Sequence, residues 1–378
     1  MTPAEFRKLR FGVMVHFGLH SMLERGEAVM CREAVSPERM RQLAEGFTPD
    51  RFDAEEICSF ARKNGAAYIV FTTMHHDGFC MYDSNKSDFN SVNFCGRDFT
   101  YEMMTAAVKN GLQFGIAHSL NNWYTGRAGE WAERNIEQLC EVLERNPALS
   151  SCRLTGDIPS GVERKDVERM YELLQKRYPE VVFSAIGNSS GVVPHEIWMP
   201  LNQHRGYHAG DHHWKTLPDV AGMMLRCAGK QENLLLNIAP DGRGALPLPA
   251  AKVISRIGKW LKSGGKLAVN GVDTTPVKED HSGYFTVNGC VLYFTLFFVP
   301  GKNWRFCGLD VPVKKVVWQD KKLTFRREGT AVEVKLPRNL RQTDLPVIEI
   351  HCESAPVFAP VEDSGVRGFF SVAEGSLQ

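Results

Sequence analysis

Short apolar runs alternate with amphipathic stretches through the first two-thirds of this chain, and that rhythm restricts its fold more than any other feature. Candidate strands rich in Val, Ile, Phe and Tyr lie at residues 11–17, 66–73, 113–119, 149–154, 181–186, 196–201 and 234–238. Helical spacing of apolar residues marks 53–64, 101–110, 131–144, 164–177, 217–228 and 249–263. Alternating strands and helices predict a parallel sheet, and seven or eight strands favour an α/β fold with a (β/α)8-like TIM barrel. An open doubly wound sheet is the alternative.

The pattern changes after Ser263, Gly264 and Gly265, where helical spacing stops. Short alternating segments at 289–298, 313–318, 322–327 and 331–336 follow, separated by Gly, Pro and Asn, as is typical of a β-sandwich. We therefore predict a barrel domain at 1–268, a C-terminal antiparallel β-sandwich domain at 269–360 and a loosely attached tail at 361–378.

The amino-acid composition of the chain restricts the classes of molecule that it is expected to bind. The 45 Lys and Arg residues nearly balance the 44 Asp and Glu residues, so no strong field recruits nucleic acid or an acidic membrane surface. No apolar run approaches the length of a membrane span, and the apolar run near the N-terminus contains a His and lacks a signal-peptide cleavage site. The ten cysteines lack CxxC spacing, which favours reduced thiols in a cytoplasmic protein. A neutral small molecule or oligosaccharide fits this balance, and a homo-oligomer is left open.

Polar residues follow several of the predicted strands, where a parallel barrel carries its functional groups. His16 follows the first strand, His75 and His76 the second, His118 ends the third, and Thr155 the fourth. These strand ends predict a cluster of histidines at one rim of the barrel.

Four blocks carry a family resemblance, FGVMVHFGLHSM, TTMHHDGFCMYDS, SDFNSVNFCGRDF and NLLLNIAPDGRGALP. In this order and spacing they resemble glycoside hydrolase family 29, the α-L-fucosidases. The resemblance implies a barrel with a β-rich C-terminal domain and an exo-acting retaining hydrolase for a terminal fucose or related sugar, without metal or other cofactor. In such an enzyme one carboxylate attacks the anomeric carbon and a second carboxylic acid protonates the leaving oxygen.

The resemblance also implies the sugar-binding residues. Family positions that hold the fucose hydroxyls correspond to His16, Glu27, His75 and His76. Neutral imidazoles both donate and accept hydrogen bonds, which suits vicinal hydroxyls. A satisfied core histidine is the alternative interpretation of His16 or His76. Two further candidates come from changed pocket walls: Arg153 occupies a tryptophan position, and Ala117 or His118 replaces a tyrosine.

The expected catalytic carboxylates are missing from their usual positions. Thr155 occupies the nucleophile position, and a threonine hydroxyl without an adjacent base is a poor nucleophile. The loop 187–194, where the acid/base is expected, contains no carboxylate. We name Asp157 as one catalytic candidate, because it lies two residues past the nucleophile position and a shift of two residues keeps a side chain on the same face of a strand. Glu196 is the second, because the resemblance matches it to a glutamate in a Trp-Glu block of the family at the start of the sixth strand. A loop aspartate that caps the next helix is the alternative for Asp157.

Two functions follow from these residues. The first is an α-L-fucosidase-like hydrolase with Asp157 recruited for the chemistry. The second is a sugar-binding pseudoenzyme on the same fold, since the predicted binding residues are present and the nucleophile is not. Histidines 204, 208, 212 and 213 fall in the segment HRGYHAGDHHW, which aligns with a loop of the family, and we expect no metal there. In that alignment Arg205 occupies a second tryptophan position.

Overall fold

The computed structural model describes residues 1–124, 131–156, 158, 161–184, 196–275, 279–280 and 282–359. The chain divides into two compact units, Met1–Gly271 and Val272–Gln378. The boundary predicted from the sequence lay between residues 268 and 269. The predicted tail 361–378 lies outside the described residues.

A seven-stranded parallel sheet organises the first unit. Its strands are β1 (Phe11–Val15), β2 (Tyr68–Met74), β3 (Gln113–Ser119), β4 (Leu149–Thr155), β5 (Val182–Ser184), β6 (Glu196–Pro200) and β7 (Asn233–Ile238). They are hydrogen-bonded in the order β5-β4-β3-β2-β1-β7-β6, and within the described residues β5 and β6 do not pair with each other. All residues of β1, β2 and β7 are buried, as expected for parallel strands covered on both faces. The predicted fold class, a (β/α) barrel followed by antiparallel sheets, is confirmed.

Helices connect the strands of this unit. Their bounds are α1 (Pro3–Arg7), α2 (Val29–Arg32), α3 (Pro37–Glu45), α4 (Ala54–Lys63), α5 (Ser91–Cys95), α6 (Phe99–Lys109), α7 (Trp131–Arg145), α8 (Arg164–Arg177), α9 (Leu217–Gly229), α10 (Leu248–Trp260) and α11 (Lys266–Val269). The local sequence determines where two of these helices begin. Asp53 caps α4 and Asp98 caps α6, and each side chain accepts a hydrogen bond from a backbone N–H at 2.9 Å. No helix among the described residues is long and apolar enough to cross a bilayer.

Bulky side chains fill the interior of the sheet below its carboxyl edge. Met14, Tyr68, Val70 and Leu235 form part of one buried cluster, with Trp198 packed against it. Tyr68 fits because Gly12 opposes it: a Cβ at residue 12 would lie 2.3 Å from the tyrosine Cζ atom. The interior is therefore a packed core, and a ligand has room only toward the strand ends.

The second unit contains two antiparallel sheets. Its strands are β8 (Glu279–Asp280), β9 (Gly283–Asn288), β10 (Val291–Leu296), β11 (Asn303–Phe306), β12 (Val313–Trp318), β13 (Lys321–Leu323), β14 (Phe325–Glu328), β15 (Ala331–Lys335) and β16 (Val347–Cys352). The sheet orders are β13-β12-β16-β10-β9-β8 and β11-β15-β14. Side chains of both sheets share one core, in which Trp304 stacks on Phe294 at 4.2 Å between ring centroids. Shared burial of this kind is how two sheets pack face to face.

One strand of this unit was predicted wrongly. Residues 322–327 were expected to form one strand, but the structure divides them at Thr324. β13 pairs with β12 in the larger sheet, whereas β14 pairs with β15 in the smaller one. Leu323 and Phe325 both pack against the shared core, so the alternation of inward and outward side chains continues where the chain passes from one sheet to the other. Strand pattern alone does not reveal such a corner.

Candidate active site

A cavity of about 400 Å³ lies at the carboxyl ends of the barrel strands. Residues of β1, β2, β3, β4 and β6, and of the loops that follow them, line it. Its polar and aromatic lining residues are His16, Glu27, Thr72, His75, His76, Trp123, Arg153, Thr155, Trp198 and Arg205. Five of the six predicted sugar-binding residues therefore meet at one cavity, and the sixth, His118, is not among those that line it.

Histidine rings form the most densely packed wall of the site. The His16 and His75 ring centroids lie 5.0 Å apart, and those of His75 and His76 lie 4.3 Å apart. Behind them His20, which the sequence analysis did not single out, lies 4.7 Å from His75. The backbone N–H of His16 donates to Ile238 at 2.8 Å, which holds the first ring at the junction of β1 and β7.

Burial keeps two of these rings neutral. It lowers the pKa of His16 to about 3, with a further contribution from the adjacent His20. Burial, with the neighbouring histidines, also lowers the pKa of His75 well below its usual range. Both ring nitrogens of His16 and the Nδ1 of His75 are buried without a hydrogen-bond partner among the described protein residues. A buried polar group without a partner costs free energy, so a hydrogen bond from these nitrogens to a ligand that reaches them would be favourable.

Glu27 supplies an anion beside these neutral rings. Its carboxylate accepts the backbone N–H of Gly206 at 2.8 Å. Burial opposes its charge, but attraction to His16 when that ring is protonated and the N–H groups of Gly206 and of Glu27 itself outweigh that cost and lower the pKa of Glu27. The approach requires a glycine, because a Cβ on residue 206 would lie 2.5 Å from the Glu27 nitrogen. Glu27 is thus a charged hydrogen-bond acceptor, and it is the only carboxylate among the described lining residues.

Glu196 lies outside the cavity lining. It is the first residue of β6, and its carboxylate accepts hydrogen bonds from Arg153 at 2.5 Å and from the Tyr68 hydroxyl at 2.7 Å. Its side chain is only 6% exposed. Burial, the charge of Glu196 and the hydrogen bond to it raise the pKa of Tyr68 well above its usual range, so the phenol remains a donor. Both carboxylate oxygens are therefore engaged away from the ligand space.

His118 occupies the other face of its strand. Ala117 lines the cavity, and the alternation of β3 directs the next side chain outward. His118 is fully buried there, and its Nδ1 lies 2.9 Å from the Thr73 hydroxyl. Burial lowers its pKa to about 3. His118 was predicted as a sugar contact, but Ala117, the other candidate of that strand, is the one that lines the cavity.

Thr155 and Gly156 reach the cavity at the end of β4. The Thr155 hydroxyl donates to the His118 carbonyl at 3.4 Å, and no imidazole of the described residues is hydrogen-bonded to it. Gly156 has φ +100°, and a Cβ there would lie 3.2 Å from Cε1 of His76. Asp157, one of the two predicted catalytic residues, lies outside the described residues, as does the loop 187–194.

Two tryptophans and one arginine of the lining were not predicted as site residues from the sequence. Trp123 follows β3 and lies 4.9 Å from the His76 ring between centroids. Trp198 lies on the same face of β6 as Glu196, two residues further along the strand. The Arg205 guanidinium lies 4.4 Å from the centroid of the Trp198 ring. The available signal was the place of Trp123 in the loop that follows β3 and of Trp198 two residues after Glu196 in β6.

The comparison with known proteins decides the family. A model of the α-L-fucosidase family matches residues 1–190 and 189–266, well over half of the chain. The chain belongs to the α-L-fucosidase family. Among curated members, the rat plasma α-L-fucosidase is 21% identical over 342 residues, covering 70% of each chain. The bovine tissue α-L-fucosidase is 21% identical over 373 residues, covering 79% of this chain and 75% of the relative.

Solved structures of the family share the fold. α-L-Fucosidase isoenzyme 1 of Paenibacillus thiaminolyticus aligns with a TM-score of 0.84 at 22% identity, over 93% of this chain and all of that one. A family 29 α-L-fucosidase of Bacteroides thetaiotaomicron aligns with a TM-score of 0.86 at 19% identity, over 94% and 96% of the two chains. The resemblance inferred from the four blocks is confirmed, and with it membership of a glycoside hydrolase family.

Proposed function

We propose that this member of the α-L-fucosidase family is an exo-acting glycoside hydrolase that releases a terminal α-L-fucosyl residue or a closely related sugar. The observation that carries the proposal is the convergence of His16, His75, His76 and Glu27 on one cavity. A cavity of about 400 Å³ is within the range of small-molecule sites and suits one terminal sugar better than a long chain.

The protonation states of these groups suit a polyol. Neutral His16 and His75 each offer one donor and one acceptor, and anionic Glu27 accepts hydrogen bonds from hydroxyl groups. Because the unpartnered ring nitrogens are buried, a sugar hydroxyl that reaches them restores hydrogen bonds without displacing a protein partner. A neutral sugar is favoured at this wall of the cavity.

The proposed chemistry is a retaining double displacement, which uses two carboxyl groups on opposite sides of the anomeric carbon. One structure of a Bacteroides thetaiotaomicron relative, in complex with 2-fluoro-fucosyl fluoride, is described as a trapped covalent intermediate. In this chain the Thr155 hydroxyl donates to the His118 carbonyl, and no described residue is hydrogen-bonded to it as a base, so we do not assign Thr155 as the nucleophile. We assign the nucleophile to Asp157, which follows the cavity-lining Gly156 in the sequence.

Hydrolysis of 4-nitrophenyl α-L-fucoside tests this assignment. The nitrophenolate leaves without strong acid assistance, so the assay reports mainly on the nucleophile. We expect wild-type turnover and a loss of about 10²- to 10⁴-fold in kcat for Asp157→Asn. Asp310→Asn, which makes the same chemical change at an exposed residue of the second unit, should retain wild-type activity.

Full activity of Asp157→Asn would remove Asp157 from the mechanism. Absence of wild-type turnover, combined with saturable L-fucose binding in calorimetry that is lost in His75→Ala, would instead establish the pseudoenzyme alternative. No observation on the described residues favours that alternative at present.

A further inference from the structure

Arg205 is a charged group of the cavity that recognition of a neutral fucose does not use. Two guanidinium groups line the cavity, those of Arg153 and Arg205. Arg153 is neutralised by Glu196 at 2.5 Å. Arg205 is exposed, and its guanidinium forms no ion pair with any carboxylate of the described residues. Arg205 therefore has no direct ion-pair partner among the described residues, although the Glu27 carboxylate lines the same cavity.

The loop that carries Arg205 is held in place on both sides. The buried Asp211 carboxylate accepts the N–H groups of Gln203 and His204, at 2.8 and 3.1 Å. The next residue, Gly206, donates to Glu27, and the carbonyl of Arg205 itself accepts from the Asn237 amide at 2.7 Å. Because these contacts fix the backbone, little loop entropy is lost when the guanidinium meets a ligand.

The side chain of Arg205 is also positioned. Its guanidinium lies over the Trp198 ring, and the indole N–H donates to the same Asn237 side chain at 3.0 Å. Arg153 lies 5.1 Å from the centroid of the same ring. A guanidinium stacked on an aromatic ring keeps its in-plane N–H groups available, and these match the paired oxygens of a carboxylate or a sulfate.

We propose that Arg205 binds an anionic group of the saccharide, a carboxylate or a sulfate ester, so that the enzyme prefers acidic over neutral fucosides. The proposal rests on the proposed function for the sugar that it places in the cavity. An anion at Arg205 supplies the direct ion-pair partner that this guanidinium lacks among the described residues, whereas the neutral histidine wall accommodates the hydroxyls of the same ligand.

Matched pairs of binding probes test this specificity without requiring turnover. The first pair is 4-carboxyphenyl 1-thio-α-L-fucoside and its carboxamide, in which the charge lies on the aglycone and the thioglycoside resists hydrolysis. The second pair is monosulfated L-fucose and L-fucose, in which the charge lies on the terminal sugar. Calorimetry gives the ratio of the two dissociation constants in each pair, and the pair with the larger ratio identifies the source of the anion.

We expect wild type to bind the anionic member of at least one pair about tenfold more tightly at low salt, and this ratio to decrease as salt is added. Arg205→Met should bring the ratio to about 1, whereas Arg205→Lys, which keeps the charge, should retain part of it. Arg169→Met removes the same charge from the exposed face of α8 and should leave the ratio unchanged.

Equal affinities within both pairs in wild type, or a preference that survives Arg205→Met, would overturn the proposal. Hydrolysis of 4-nitrophenyl α-L-fucoside without any anionic preference would leave the proposed function in place and refute only the role of Arg205. Conversely, an Arg205-dependent preference in a protein that hydrolyses no fucoside would support the anion site and refute the proposed function.

Discussion

Replacing Glu196 by glutamine separates a structural carboxylate from a catalytic one. The change keeps the size of the side chain and removes its charge. In the structure that charge is opposed by Arg153 and bound by the Tyr68 hydroxyl, and it lies outside the cavity lining. We therefore expect Glu196→Gln to reduce stability while the catalytic step is largely retained.

The magnitude follows from burial. Breaking a fully buried ion pair by removing one partner costs about 3–5 kcal/mol, whereas an exposed pair contributes about 0–1 kcal/mol. The Glu196 side chain is 6% exposed and that of Arg153 is 22% exposed, and glutamine still accepts one hydrogen bond. We expect a loss of about 1–3 kcal/mol in the free energy of unfolding, equivalent to a decrease of about 2–8 °C in Tm for a domain of this size.

Thermal unfolding and 4-nitrophenyl fucoside kinetics on the same preparations provide the measurement. Tyr68→Phe removes only the second hydrogen bond and should cost about 1 kcal/mol. Glu172→Gln makes the same chemical change at an exposed position of α8 and should change stability by less than about 0.5 kcal/mol. The activity of Glu196→Gln should decrease by less than about tenfold, through altered placement of Arg153 at the cavity.

The opposite pattern would refute this reasoning. If Glu196→Gln unfolds at the wild-type temperature and loses about 10³-fold or more in kcat, its carboxylate acts on the substrate. The sequence-based assignment of Glu196 as a catalytic residue would then be correct, and the contacts to Arg153 and Tyr68 would have to be exchanged during the reaction.

Two further predictions concern the strand ends and pH. Gly156→Ala places a Cβ at φ +100° and 3.2 Å from His76, so it should reduce fucoside hydrolysis by about tenfold. Gly161→Ala has a similar φ of +92° but no neighbour within 4 Å, so it should only destabilise the folded protein. Burial lowers the pKa of His16 and His118 to about 3, so between pH 6.5 and 3 the unfolded chain binds more protons than the folded chain. The free energy of unfolding should therefore decrease as pH falls through this range, by about 1.4 kcal/mol per pH unit for each ring. Replacing His118 by glutamine should reduce that slope in denaturation measured from pH 7 to 5, and an unchanged slope would contradict the assigned neutral state.

The sequence predicted the barrel because strand and helix periodicities are local. β2 was expected at 66–73 and is Tyr68–Met74, and β6 was expected at 196–201 and is Glu196–Pro200. It also predicted that His16, His75 and His76 meet, since carboxyl ends of neighbouring parallel strands share one edge. What it could not supply was the direction of a side chain near a strand end. His118 was expected at the cavity, but Ala117 lines the cavity and His118 follows it on the opposite face of β3.

Arg153, which the family resemblance predicts to occupy a tryptophan position, determines the surroundings of Glu196. An arginine at residue 153 brings a charge into the barrel interior, where an uncompensated charge is costly. Glu196 compensates it, and Tyr68 binds the second oxygen of that carboxylate. Glu196 matches a family block in the sequence, yet its surroundings make it the counter-ion of Arg153. A residue can therefore keep its type and position while a changed neighbour alters what it does, which is why the geometry around Arg153, and not the alignment alone, assigns its role.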